Sequence, residues 1–314
     1  MSHPPLVLQF PGQGAQQVGM GKELCALSQA AAEVFARADR ILGFPLSRLC
    51  FEGPPESLND TINTQPAVLT VSVAALRALE ARLGSPVFVA GHSLGEFSAL
   101  VAAGVLPFEE ALLLVQERGR LMKEAGERNP GGMAAILGLK KAEVEELCNQ
   151  ACKATGGYVG VANDNCPGQV VISGDEEALQ AAMGKVKAAG ARKVVRLAVS
   201  IAAHSPLMAE AAAAFRRALE AVTFRPPAVP FVANATAGPV TDPDQIREAL
   251  GRQLTSPVRW TESVHWMIRQ GAARFVEVGP GKVLTSLLRR IDRRVKGQTT
   301  EQVMRSTEYG IQNT

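Results

Sequence analysis

Short, largely apolar runs alternate with helical patterns over the first third of the chain. Leu6–Phe10 and Pro86–Ala90 are runs of this kind and predict buried strands. Apolar residues recur with helical spacing over 21–42, and a second helix is expected after Thr64-Gln65-Pro66, through Leu83. Strands and helices in alternation are typical of a mostly parallel sheet covered by helices, so we expect an α/β fold.

A different order of elements follows between residues 129 and 197. Strands and helices are expected there as β-α-β-β-α-β, at 132–139, 141–153, 158–163, 169–173, 176–189 and 193–199. This order is typical of the ferredoxin-like split βαβ unit, so we predict that residues 129–197 form an inserted small domain. Residues 1–128 and 198–296 would form the large domain, and the polar residues 297–314 a tail or surface arm.

The composition is that of a folded globular protein. Apolar residues make up 46% of the 314 residues and charged residues 20%, which excludes a largely disordered chain, a collagen-like chain and a coiled-coil rod. The formal charge of +3 is too small to make nucleic acid the expected partner. No run approaches the roughly 20 apolar residues of a membrane-spanning helix, and residues 1–5 lack the layout of a secretory signal. We therefore expect a cytoplasmic protein with no membrane partner.

The five cysteines are scattered along the chain, and their odd number predicts free thiols rather than a disulfide framework. Cys148 and Cys152 lie four residues apart on a predicted helix, but no histidine or second cysteine pair completes a zinc site. We therefore expect no bound metal.

Gly91-His92-Ser93-Leu94-Gly95 joins a predicted strand to a predicted helix and matches the nucleophile-elbow pattern, Gly-x-Ser-x-Gly. Glycines two residues either side of the serine allow a tight, strained turn that presents the hydroxyl at the N-terminus of a helix. The N–H of Leu94 would face a developing oxyanion there. Ser93 is thus a candidate nucleophile; the alternative is an ordinary turn with a solvated serine.

A nucleophilic serine needs a base, and the chain has four histidines. His3 lies in the N-terminal run, His92 is adjacent to Ser93, where side chains diverge, and His265 lies in a predicted helix. His204 follows a predicted strand and precedes a predicted helix, where catalytic residues of open α/β sheets gather, and is the candidate base; the alternative is a capping or structural role. No acidic residue between Ser93 and His204 stands out as a third member of a triad. A backbone carbonyl is therefore the candidate for orienting the imidazole.

Arg118 is a charged residue inside a predicted apolar stripe. On the predicted helix 108–125 it shares the stripe of Leu114 and Leu121, and no carboxylate lies three or four residues away. An inward-facing guanidinium without an anion is costly. We expect it to meet either a protein carboxylate from elsewhere in the chain or a carboxylate on the substrate, which Arg can bind in bidentate fashion.

Pro11-Gly12-Gln13-Gly14-Ala15-Gln16 is a glycine-rich loop after the first predicted strand. It matches neither phosphate-binding pattern, since Gln17 occupies the third glycine position of GxGxxG and the chain has no GxxxxGK[ST]. Beside an elbow serine, however, such a loop would be placed to supply a second oxyanion N–H.

Seven segments, in this order, resemble the malonyl-CoA:acyl-carrier-protein transacylases of fatty-acid and polyketide synthesis. They are Phe10-Pro11-Gly12-Gln13-Gly14-Ala15-Gln16, Gly91-His92-Ser93-Leu94-Gly95-Glu96, Glu117-Arg118-Gly119, Gly168-Gln169-Val170-Val171-Ile172-Ser173-Gly174, His204-Ser205-Pro206-Leu207-Met208, Gln253-Leu254-Thr255-Ser256-Pro257-Val258 and Glu277-Val278-Gly279-Pro280-Gly281-Lys282. The resemblance covers about residues 6 to 291. It implies a hydrolase-like α/β core with a mostly parallel sheet plus an inserted ferredoxin-like (βαββαβ) small domain, which agrees with the predicted order of elements.

The resemblance also implies a role for individual residues. Ser93 would be the acylated nucleophile, His204 its general base, and the backbone carbonyl of Gln253 the acceptor that holds the His204 ring. The N–H groups of Gln13 and Leu94 would form the oxyanion hole. Arg118 would bind the free carboxylate of the malonyl group.

The reaction implied by the resemblance is ping-pong transfer. Ser93 would take the malonyl group from malonyl-CoA, and the phosphopantetheine thiol of acyl carrier protein would remove it from the serine ester. No cofactor of the enzyme itself is implied, because phosphopantetheine belongs to the carrier. An acidic carrier would need a basic docking face, for which two clusters are candidates: Lys185, Lys187, Arg192 and Lys193, and Arg289, Arg290, Arg293 and Arg294.

The sequence leaves acyl specificity open. Ile201-Ala202-Ala203 precedes His204, where many malonyl-specific polyketide acyltransferases have a bulky Phe, so methylmalonyl transfer is one hypothesis. Leu94, by contrast, fits the malonyl-type elbow. The alternatives are a polyketide-type acyltransferase with broader specificity, an acyl hydrolase, an ordinary serine esterase and an inactive carrier-binding scaffold.

Overall fold

Two sheets organise residues 4–306, the part of the chain that the computed structural model describes. The strands are β1 Leu6–Phe10, β2 Pro86–Gly91, β3 Gly131–Leu137, β4 Val159–Cys166, β5 Gln169–Asp175, β6 Lys193–Arg196, β7 Phe231–Ala233, β8 Gly238–Val240, β9 Arg274–Glu277 and β10 Lys296–Thr299. The helices are α1 Lys22–Leu27, α2 Gln29–Leu42, α3 Leu46–Glu52, α4 Pro55–Asn59, α5 Thr61–Leu79, α6 Gly95–Ala102, α7 Phe108–Arg128, α8 Lys141–Thr155, α9 Glu176–Ala188, α10 Ala209–Glu220, α11 Pro243–Gln253, α12 Trp260–Arg269, α13 Val283–Ile291 and α14 Thr300–Arg305. A 3₁₀ turn at Pro206–Met208 precedes α10.

The described chain divides into two units. The first comprises residues 4–116, 225–231 and 267–306, and the second 117–224 and 232–266. Both units are discontinuous in sequence, because the chain passes from one to the other several times. No helix within residues 4–306 has the length and apolarity needed to cross a membrane.

Parallel strands form the sheet of the first unit. β10, β9, β1 and β2 lie side by side in that order, each parallel to its neighbour. Every residue of β1 is buried, as expected of a central strand covered on both faces. Phe10 and Gly91 are register partners at the ends of β1 and β2, so the loops that follow these strands leave the same edge of the sheet. This confirms the mostly parallel sheet expected from the sequence.

Capping residues set the helix boundaries of this unit. The side chain of Ser28 accepts a hydrogen bond from the N–H of Ala31, which separates α1 from α2 where one helix was expected over 21–42. The carboxylate of Asp60 accepts from the N–H of Ile62, so α5 begins before Thr64-Gln65-Pro66 and contains Pro66. Both differences from the prediction are therefore local capping effects.

The prediction of a tail is wrong for residues 297–305, which form most of β10 and α14. The Thr300 hydroxyl donates to the carbonyl of Glu277 and accepts from the N–H of Gly279, each at 3.0 Å, and Val303 is fully buried. β10 reads Lys-Gly-Gln-Thr and has no apolar alternation by which a strand could be recognised. Residues 307–314, the rest of the predicted tail, and His3 lie outside the described residues.

An antiparallel sheet in the order β4-β5-β3-β6 forms part of the second unit. The chain runs β3-α8-β4-β5-α9-β6, which is the order of elements predicted for this segment. One apolar cluster joins this sheet to α8 and α9 and includes Ile136, Val144, Ile172, Leu179 and Val186. Hydrogen bonds from Asp164 N to Val258 O (2.9 Å) and from Val258 N to Ala162 O (2.8 Å) tie β4 to the segment between α11 and α12. The boundaries 129–197 of the inserted domain stay a prediction.

Candidate active site

The turn after β2 holds Ser93 in a left-handed backbone conformation, with φ of 51°. Residues other than glycine seldom adopt this conformation, and it concentrates at functional sites. The N–H of His92 donates to Phe10 O (3.0 Å), and the N–H of Glu96 donates to Ser93 O (3.0 Å), so the chain passes at once from the end of β2 into α6. The structure thus has the strand–serine–helix geometry of a nucleophile elbow.

Gly91 and Gly95 are required by close packing around this turn. A Cβ on Gly91 would overlap the backbone of Gly95, and a Cβ on Gly95 would overlap the carbonyl oxygen of Phe10. Either side chain would force α6 away from the ends of β1 and β2. The Gly-x-Ser-x-Gly spacing is therefore a packing requirement of the first unit.

Leu94 and the Gln13 loop lie at the same edge of the parallel sheet. Leu94 is the N-cap of α6, at the helix end where N–H groups have no intrahelical acceptor. The loop containing Gln13 follows β1, and a Cβ on Gly12 would overlap the carbonyl oxygen of His92, so this loop and the elbow are in close contact. The structure thus brings Ser93, Leu94 and the Gln13 loop together within the first unit.

Side chains from the start of α5 hold the Gln13 loop in place. Thr61 Oγ1 donates to Gln13 Oε1 (3.0 Å), and Gln65 Nε2 donates to Thr61 Oγ1 (3.0 Å). Gln16 Nε2 donates to Asn59 Oδ1 (2.9 Å) at the end of α4. Sequence reasoning assigned no role at the site to Thr61, Gln65 or Asn59, although Asp60 before a helical pattern was an available capping signal.

Glu277 fixes a third chain segment at this edge, since it ends β9 beside Gln9 of β1. Its buried carboxylate accepts from the N–H groups of Leu284 (2.9 Å) and Thr285 (2.7 Å) at the start of α13. Burial raises the pKa of this carboxyl group, and the backbone donors act in the opposite direction. Glu277 is therefore a helix-capping anchor of the segment that begins with Val278.

His204 lies in the second unit, also in a left-handed conformation, with φ of 59°. Ser205 holds its loop: Ser205 Oγ donates to Ala202 O (2.6 Å) and accepts from the N–H of Leu207 (3.3 Å), which caps the 3₁₀ turn. His204 is only 5% exposed. The imidazole is therefore held by its loop rather than carried on a mobile side chain.

Two carbonyl groups orient the His204 ring. Nδ1 lies 2.9 Å from Gln253 O and 3.2 Å from Ser256 O. Because carbonyl oxygens only accept, Nδ1 carries the proton and Nε2 is the basic nitrogen. Gln253 is the last residue of α11, so its carbonyl belongs to the negative end of the helix dipole. Ser256 was not predicted from the sequence.

Arg118 is buried in α7, only 1% exposed, as the apolar stripe predicted. Its Nε and Nη2 donate to the side-chain oxygen of Gln253, over 3.2 and 2.8 Å. Gln253 thus contacts His204 through its backbone carbonyl and Arg118 through its amide. The second unit therefore brings Arg118, His204 and Gln253 together.

The described residues offer no site for a metal. Within 4–306 no group of three or more His, Cys, Asp or Glu side chains is arranged to hold an ion. All five cysteines are free thiols.

Comparison with known proteins identifies the family. A family model described as an acyl transferase domain matches residues 7–308. The malonyl CoA-acyl carrier protein transacylase of Escherichia coli is 48% identical over 283 residues, which is 90% of this chain and 91% of that protein. The chain belongs to the malonyl-CoA:acyl-carrier-protein transacylase family.

Solved structures of transacylases agree with this assignment. The malonyl CoA-acyl carrier protein transacylase of Coxiella burnetii is 41% identical, with a TM-score of 0.92 over 96% of this chain and 98% of that one. A malonyl-transacylase solved in complex with a type II PKS acyl-carrier protein is 41% identical, with a TM-score of 0.93 over 98% of this chain and 100% of that one. The mixed α/β fold, with a mostly parallel sheet and a separate antiparallel sheet, is therefore that of the transacylases.

Proposed function

We propose that this transacylase moves a malonyl group from malonyl-CoA to the phosphopantetheine thiol of an acyl carrier protein, through a malonyl ester on Ser93. The names of the relatives support this assignment. The observation that carries it is the buried guanidinium of Arg118, held by the same residue that orients the imidazole of His204. A base beside a fixed cation suits an acyl group that carries a carboxylate.

In the first half-reaction, His204 Nε2 takes the proton of the Ser93 hydroxyl while Ser93 Oγ attacks the thioester carbonyl. This step requires the two atoms to meet at hydrogen-bond distance. The N–H groups of Gln13 and Leu94 stabilise the oxyanion. The C–S bond then breaks, and the leaving sulfur takes the proton from the His204 imidazolium, so that CoA departs as the thiol.

In the second half-reaction, His204 deprotonates the carrier's thiol, which attacks the malonyl ester. The intermediate collapses with breakage of the bond to Ser93 Oγ, and the serine recovers its proton from the imidazolium. Gln253 O and Ser256 O stabilise that imidazolium, helped by the negative end of α11. Backbone carbonyls thus take the role that an acidic residue has in a Ser-His-Asp triad.

We also propose the finer features of the fold. The strand order β4-β5-β3-β6 with α8 and α9 supports a ferredoxin-like small domain at 129–197, inserted in a hydrolase-like core formed by 1–128 and 198–296.

Five free thiols support a reducing, cytoplasmic location. The two half-reactions need only groups of this chain and its two substrates, so we propose that the enzyme itself uses no metal or cofactor.

The test is to incubate the protein with malonyl-CoA and to weigh it. A stable malonyl adduct that a holo-carrier removes supports transfer, rapid CoA release without carrier indicates a hydrolase, and no adduct rules out the proposal. Ser93→Ala should abolish the adduct. His204→Ala should lower the rate by about 10⁴-fold or more, because the two residues act as a unit.

Small side chains before the base favour a second candidate activity, the transfer of methylmalonyl groups. Ala202 and Ala203 are both buried and immediately precede His204. Neither side chain has the bulk of a Phe, so we propose that the acyl site accepts an α-methyl group. Side-by-side turnover of malonyl-CoA and methylmalonyl-CoA tests this specificity, and the absence of methylmalonyl transfer would remove it.

A further inference from the structure

We propose that the side-chain amide of Gln253 is a positioning group that sets acyl specificity, by aiming Arg118 at the substrate carboxylate without neutralising it. This inference rests on the proposed function. It concerns the amide of Gln253 and is separate from the role of its backbone carbonyl, which every substitution at this position retains.

The contacts of Gln253 are divided between its two ends. Its backbone oxygen lies 2.9 Å from His204 Nδ1, and its Oε1 accepts from Arg118 Nη2 at 2.8 Å and from Arg118 Nε at 3.2 Å. Gln253 is 2% exposed, His204 5% and Arg118 1%. Hydrogen bonds between side chains this deeply buried hold a defined geometry, because little water competes for them.

The chemistry of the acceptor is the decisive point. One oxygen that accepts from both Nε and Nη2 fixes the plane of the guanidinium, as a carboxylate would. An amide oxygen is neutral, however, so it orients the cation and leaves its charge to attract a substrate anion. A glutamate here would instead form an internal ion pair and compete with the malonyl carboxylate.

The position of Gln253 at the end of α11 makes its amide a rigid support. The last turn of the helix fixes its backbone, and Ser256 N donates to Gln253 O (3.3 Å) beyond the helix. One residue therefore sets the direction of the base and the direction of the cation. We infer that this link places the carboxylate end of the acyl group at a fixed distance from the imidazole.

The experiment compares malonyl-CoA with acetyl-CoA in two variants of Gln253. Gln253→Met removes the acceptor at similar length, and we expect kcat/KM for malonyl-CoA to fall about 10- to 100-fold, mainly through KM, and to fall more than kcat/KM for acetyl-CoA. Gln253→Glu should lower malonyl turnover further, about 10³-fold, again by more than acetyl turnover. Gln245→Met, on the exposed face of the same helix, is the matched control and should leave both substrates unchanged.

A double-mutant cycle separates this role from a structural one. Arg118→Ala combined with Gln253→Met should cost malonyl turnover no more than Arg118→Ala alone, because the amide acts through Arg118. Equal losses for malonyl and acetyl, or additive losses in the double variant, would overturn the proposal. An unchanged far-UV circular dichroism spectrum shows that each variant is folded. Failure of the proposed function is recognised separately, since the wild-type protein would then form no malonyl adduct.

Discussion

At Ser93 and His204 the backbone adopts a conformation that ordinary residues avoid, with φ of 51° and 59°. Such conformations cost about 1–3 kcal/mol each and persist only where the surroundings fix them. The close approach of Gly95 to Phe10 fixes the first, and the two hydrogen bonds of Ser205 fix the second. Each reactive side chain is therefore held before substrate arrives, which lowers the entropy cost of the chemical step.

Arg118→Ala should lower activity toward a thioester with a charged acyl group far more than toward one with an uncharged acyl group. We expect the loss of transition-state stabilisation to be about 2–5 kcal/mol for malonyl-CoA and small for acetyl-CoA, because only the malonyl group leaves an unpaired carboxylate. Steady-state kcat/KM for the two thioesters measures the difference. Arg120→Ala, two residues along the same helix but paired with Glu117 and Glu124 on the surface, is the control. Equal losses for the two substrates would contradict the carboxylate-binding role of Arg118.

The buried thiols should resist alkylation. Burial raises the pKa of both Cys50 and Cys148 to about 12, with smaller contributions from neighbouring acidic groups. At pH 8 both stay protonated, and the thiolate is the reactive form. We expect maleimide labelling followed by mass mapping to leave both unmodified in the folded protein and to modify all five cysteines after denaturation. Equal labelling rates in the two states would show that these thiols are accessible.

At the scale of elements, the glycines of the elbow set how closely α6 approaches the sheet. Gly95→Ala should destabilise the protein by about 3 kcal/mol or more, above the usual range for overpacking, because the Cβ meets backbone that cannot move aside. Gly184→Ala, in the interior of α9 with open space around it, should instead stabilise the protein by about 0.5–1 kcal/mol. Urea unfolding at equilibrium measures both, and a Gly95→Ala protein of unchanged stability would contradict the packing argument.

Elements with a strong apolar pattern could be predicted from the sequence, and those defined by caps could not. β1 was predicted with its observed bounds because every one of its residues is buried. α11 was not predicted, although Ile246, Ala249 and Leu250 are buried at helical spacing, and its carbonyl at Gln253 was inferred only from family resemblance. Asp242 and Pro243 were an available signal, since Asp242 caps the helix and Pro243 occupies its first position.

The same distinction applies to the candidate site. Ser93, His204 and Arg118 could be singled out because each is chemically unusual where it stands: an elbow serine, a loop histidine and a buried cation. The supporting contacts of Thr61, Ser256 and the Gln253 amide depend on residues far apart in the chain. No local spacing could reveal such contacts.

At the scale of the whole molecule, the formal charge of +3 is distributed unevenly enough to leave basic clusters. In the second unit, Lys187 at the end of α9, Arg192 in the following loop and Lys193 at the start of β6 lie exposed. In the first unit, Arg289 and Arg290 at the end of α13 and Arg293 just beyond it also lie exposed. Lysines and arginines at the end of a helix also favour its dipole, so a stabilising role alone would account for some of them. The rate of transfer to the carrier therefore decides whether either cluster binds an acidic carrier.

Charge reversal at Lys187 and Lys193 should separate the two half-reactions. We expect transfer to the carrier to fall about 10-fold or more at low salt, while malonylation of Ser93 by malonyl-CoA is unchanged, because only the carrier needs the docking face. Lys153→Glu, on the exposed end of α8, is the matched control. A parallel fall in both half-reactions, or no change in carrier transfer, would argue against docking at this cluster.

The strand order of the first unit has a consequence for synthesis on the ribosome. β1 is flanked by β2 and β9, and Leu6 pairs with Arg274, so one side of β1 has no partner until most of the message has been translated. The nascent chain carries that open strand edge for many seconds at elongation rates of about 5–20 residues per second. Chains released early, before β9, would expose the same edge permanently and become substrates for chaperones and proteases.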